Sequence, residues 1–77
     1  MDTVQGQLLR IAESWPLQLT LRAADGSTWV ATLGDGALVT VRGVPASPAV
    51  LRPGQQLALR GRLVAPQALA ADHINVL

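Results

Sequence analysis

Residues 56–63 read Gln, Leu, Ala, Leu, Arg, Gly, Arg, Leu, and no other stretch limits the possible folds as much. Leu57, Leu59 and Leu63 fall on one side of a two-residue period and Arg60 and Arg62 on the other, the pattern of a half-buried strand. A slip of one residue would bury both guanidinium groups, so the register follows: leucines inward, arginines outward. Residues 17–22 repeat the pattern, with Leu17, Leu19 and Leu21 facing one way and Gln18, Thr20 and Arg22 the other. The chain is built from strands.

Four more segments read as strands around these two. Residues 4–11 form the first, with Gly6 placed where a barrel strand bends or is crossed closely by another backbone. Residues 28–33 follow the Asp25-Gly26 pair, a hairpin signal because glycine takes the positive φ that such turns need. Residues 37–42 continue or follow that strand after the Gly34-Asp35-Gly36 turn, and residues 69–77 form the last. The segment from Gly43 to Gly54 holds Pro45, Pro48 and Pro53. Prolines this close forbid a long helix and leave room for one turn, around residues 49–51.

At 77 residues there is room for one core, so residues 1–77 are read as a single domain. Apolar residues make up 49% and charged residues 14%, too apolar for a disordered segment and sparing in polar surface. Self-association is therefore expected. The formal charge of +1 is too small to announce a polyanion binder. Without cysteine there are neither disulfides nor thiolate metal sites. The first residues lack the basic and apolar stretches of a signal peptide, no apolar run is long enough to span a membrane, and the protein is read as cytoplasmic.

Several segments together carry a resemblance. Leu51-Arg52-Pro53-Gly54-Gln55, Leu57-Ala58-Leu59-Arg60-Gly61, Leu69-Ala70-Ala71 and Ile74-Asn75-Val76, with Val4-Gln5-Gly6-Gln7-Leu8 and Asp25-Gly26, resemble bacterial OB-fold-like domains. These include the tRNA-anticodon type and OB-like domains of unassigned function. The resemblance implies an all-β fold: a small five-stranded OB-like antiparallel barrel with a short Pro-rich crossover in place of a long helix. It further implies a binding module, with single-stranded DNA or RNA held on the face of the second and third strands and the flanking loops.

Catalysis fails on inventory, and the chain is not read as an enzyme. The only histidine, His73, adjoins Asp72, and neighbours in a regular strand face opposite ways, so no triad is readable. Glu13, Asp25, Asp35 and Asp72 are too scattered for paired carboxylates, and one histidine without cysteine cannot complete a metal site. Haem-chaperone OB domains place a histidine near the barrel end, but this chain lacks their tyrosine, and His73 reads as a solvated strand residue. No cofactor is expected. For single-stranded nucleic acid, Arg22, Arg60 and Arg62 are candidates for phosphate contact and Trp15 either for base stacking or for plugging the open end of the barrel, whereas Trp29 shares a face with Ala31 and Leu33 and belongs to the core. The rival reading is a protein-binding or self-associating barrel, using outward Val30, Ala58 and Leu77 and the edge of the last strand.

Overall fold

Alternation carries the chain through six strands in a computed structural model that describes residues 2–13 and 16–77, Asp35 by its backbone alone. They are β1 (Asp2–Ala12), β2 (Leu17–Ala23), β3 (Thr28–Val41), β4 (Val44–Ala46), β5 (Gln56–Ala65) and β6 (Ala68–Val76). The hydrogen-bonded order β2-β1-β5-β6-β3 closes on itself through β2–β3, leaving β4 as an appendage on β3. The result is the expected closed five-stranded barrel, compatible with an OB-like fold. Its contacts are antiparallel except β3–β6, where the strands run parallel. That contact buries the end of the last strand: residues 73–76 pair with β5 on one side and β3 on the other. The free edge expected there does not exist.

The inward positions fill the barrel. Leu8, Leu19, Leu21, Leu57, Leu59, Leu69 and Ile74 are fully buried, and Trp29 packs against them as expected. Leu63 departs from its expected place. It pairs with Leu69 on the inward side, but the β1–β5 pairing stops at Asp2 opposite Gly61, so among the described residues only the Asp2 carboxylate, accepting from Leu63 N at 3.4 Å, reaches that flank, and Leu63 is 46% exposed.

The strand register shifts at four places, and two of these bulges decide which charged side chains face outward. In β1 the pairing slips at Leu9, which sends Arg10 outward beside Thr20 and returns Ile11 inward beside Leu19. Without the extra residue, strict alternation from Leu8 would drive Arg10 into the core. In β6 the slip falls at Asp72, because Arg60 pairs with His73 while Gly61 pairs with Ala71. Glycines stand where backbones cross most closely. A Cβ on Gly6 would meet the Arg22 carbonyl oxygen at 2.6 Å, and one on Gly61 would overlap the Ala70 carbonyl.

The proline segment forms a single 3-10 turn, Pro48–Val50, with Ser47 Oγ accepting from Ala49 N at 3.0 Å. Leu51 follows as a buried plug. Leu8 donates its N–H to Gln55 O and accepts from Gly54 N, which ties the crossover to β1 at its bulge.

Candidate functional site

Outward side chains on β1, β2 and β5 make one polar face. It presents Thr3, Gln5, Gln7 and Arg10 from β1, Gln18, Thr20 and Arg22 from β2, and Gln56, Arg60 and Arg62 from β5. Arg60 and Arg62 are successive outward residues, about 6.6 Å apart along the strand. Arg22 shares a row with Gln7 and Gln56, four residues and about 13 Å from the row of Arg60. Arg10, which regular alternation hides, stands one outward position from Arg22 and adds a fourth cation. So two of the three arginines singled out are neighbours and the third belongs to a second pair. Trp15 lies outside the described residues. β3, the other strand on which binding was expected, carries no arginine between Thr28 and Val41.

What these side chains do not touch matters most. Among the described residues, Arg10, Arg22, Arg62, Gln5, Gln7, Gln18 and Gln56 have no side-chain hydrogen bond or ion pair. Among the described residues Arg60 alone of the four arginines faces a carboxylate, with Nε 3.7 Å from Asp72 Oδ1 and both side chains about half exposed at 55% and 52%. Solvated at that distance, the pair contributes about 0–1 kcal/mol and leaves the guanidinium available.

The outward side of β3 and β6 is arranged differently. Thr40, 5% exposed, donates its hydroxyl proton to Asn75 Oδ1 at 2.7 Å, and the same oxygen accepts from Gly43 N at 3.0 Å. Having spent its only proton, Thr40 Oγ1 accepts from His73 Nε2 at 3.0 Å, so this nitrogen carries the hydrogen. His73 is thus half-buried and structurally engaged, not solvated. The bulge at Asp72 also corrects the expectation that Asp72 and His73 face apart: both stand on the outer face opposite Arg60. No hydrogen bond joins them. Among the described residues no group of three His, Cys, Asp or Glu is placed to hold a metal ion, and no helix is long and apolar enough to cross a membrane.

Of the apolar positions expected to form one patch, Leu77, its N–H bonded to Gln56 O, lies near Ala58, while Val30 stands apart. Val30 lies beside Ala68 and Ala58 beside Asn75, seven residues or about 23 Å apart along β6. Exposed apolar side chains instead gather at the β5–β6 hairpin, as Leu63 and Val64, and around β4, as Leu38 and Val44.

At the β2–β3 hairpin, Asp25 Oδ1 accepts from Ser27 Oγ at 2.6 Å and Ser27 N at 2.9 Å. The hydroxyl first and the backbone N–H second hold its carboxyl below the usual carboxylate value. No protein-family model, curated protein or solved structure matches the chain.

Proposed function

We propose that this barrel is a non-enzymatic binding module for single-stranded nucleic acid, gripped by its phosphates across the outer face of β1, β2 and β5. The observation that carries this reading is the concentration there of Arg10, Arg22, Arg60 and Arg62, with Asp72 the only carboxylate among the described residues drawn to any of them. Four of the six basic residues of a chain with formal charge +1 share one face, so the local field is positive where the whole molecule is nearly neutral. Planar guanidinium groups suit phosphate oxygens. The described part of the face has no aromatic side chain, so stacking falls to Trp15, and the phosphate contacts by themselves give weak binding that is tolerant of sequence.

A titration with fluorescent oligothymidylate at two salt concentrations tests the proposal. Four phosphate contacts give a log–log salt slope of about −2.8, at about −0.7 per contact on single strands. Arg60→Ala with Arg62→Ala brings it to about −1.4. Trp15→Ala weakens binding by roughly 1–3 kcal/mol if a base stacks there. Absence of binding at low salt defeats the proposal.

Leu63 and Val64, consecutive and both exposed near the β5–β6 hairpin, favour a second reading as a protein-binding or self-associating barrel. Sedimentation velocity tests it, because association through this tip disappears when both residues are changed to serine.

A further inference from the structure

Within the arginine face, a cleft of about 240 Å³ opens between β2, β1 and β5. Arg22, Gln7 and Gln56 line it as a single row across three adjacent strands, with Gln5 one outward position along β1. Neighbours in such a row are about 4.8 Å apart. The floor is small because it has to be: Gly6 has no room for a Cβ against the Arg22 carbonyl, and the chain beside it continues through Ala23 and Ala24. None of the four polar side chains has a partner among the described residues.

Their chemistry distinguishes this cleft from the rest of the face. A phosphate uses donors alone, whereas three carboxamides around one guanidinium bring as many acceptors as they bring carbonyl groups. Mixed donors and acceptors match a base edge. A purine offers N7 flanked by O6 or by the N6 amino group, which a guanidinium or a carboxamide meets with two parallel hydrogen bonds. A pyrimidine has no N7. In a single strand that edge is accessible, since an unpaired base can be splayed out of the stack. We infer that the cleft of Gln5, Gln7, Arg22 and Gln56 reads the Hoogsteen edge of one unstacked purine in the bound strand. This rests on the nucleic-acid reading above and assigns it a specificity that phosphate contacts alone cannot supply.

The test compares oligothymidylate with versions carrying one central dG, dA or dC, at fixed salt, on the full chain. The oligonucleotides with dG or dA bind about tenfold more tightly than those with dC or thymine alone, the worth of one bidentate pair. Which of the two purines binds better shows whether Arg22 or the carboxamides lead. Arg22→Ala combined with Gln7→Ala and Gln56→Ala brings all four affinities together whichever group leads, circular dichroism confirming the fold. Arg62→Ala weakens all four equally and keeps the purine preference. Equal affinities for the four with a normal salt slope overturn the base-reading cleft and leave the phosphate-binding face standing. No binding to any of them at low salt overturns both.

Discussion

The two outer surfaces of the barrel use polar side chains in opposite ways. On β3 and β6, Thr40, His73 and Asn75 satisfy one another and hold the Gly43 backbone, so their hydrogen bonds are spent on the fold. On β1, β2 and β5, four arginines and four glutamines end in solvent, with a single long ion pair among the described residues. A polar group already paired gains little from a ligand, while a free one has only its water to exchange. Composition alone does not separate the faces; the hydrogen-bond accounts do.

The harshest way to break the comparison is at Gly61, where β5 crosses β6 and joins the two surfaces. Gly61→Ala places a methyl group on the Ala70 carbonyl and costs on the order of 3 kcal/mol or prevents folding, read by urea denaturation. Next comes Asn75→Ala, which removes the acceptor of the buried Thr40 hydroxyl and of the Gly43 N–H, leaves Thr40 only His73 as a partner, and costs about 1 kcal/mol. Gln7→Ala and Gln18→Ala, on the free face, change stability by no more than about 0.5 kcal/mol. A cost at Gln7 equal to that at Asn75 would erase the distinction between the surfaces.

The smallest expected effect concerns Asp25, which belongs to neither surface. Its two bonds to Ser27 favour the ionised form, so its folded pKa lies below the unfolded value near 3.8. The contribution is complete above that value and is lost as pH falls through the lower folded one. An NMR titration of the Asp25 carboxyl shows a midpoint below 3.8 that returns toward it in Ser27→Ala.

Much of this architecture is legible in alternation, because a closed barrel needs nearly every strand to show one apolar side. Residues 17–22 sit within β2 as read, and Pro45, Pro48 and Pro53 limit the crossover to one 3-10 turn. The departures have local causes. The bulges at Leu9 and Asp72 each interrupt the two-residue period, which hid Arg10 from the candidate face and misplaced Asp72 relative to His73. Leu63 continues the pattern past the point where β1 ends. β4 was not anticipated: its turn, Arg42 at φ 50° and Gly43 at φ 83°, is a hairpin geometry normally marked by Asn-Gly or Asp-Gly. Of the candidate site, Arg60 and Arg62 were legible as a pair from spacing alone. The freedom of the glutamines was not, since partners depend on which strands become neighbours.

The central claim is that the free face is the ligand face, and chemical-shift mapping tests it most directly. Titrating isotopically labelled protein with oligothymidylate at low salt perturbs backbone amides next to the outward residues of β1, β2 and β5, with Arg22, Arg60 and Arg62 among the largest shifts. Amides around Thr40, His73 and Asn75 stay in place. Shifts concentrated on β3, β4 and β6, or none at all at millimolar oligonucleotide, contradict the account.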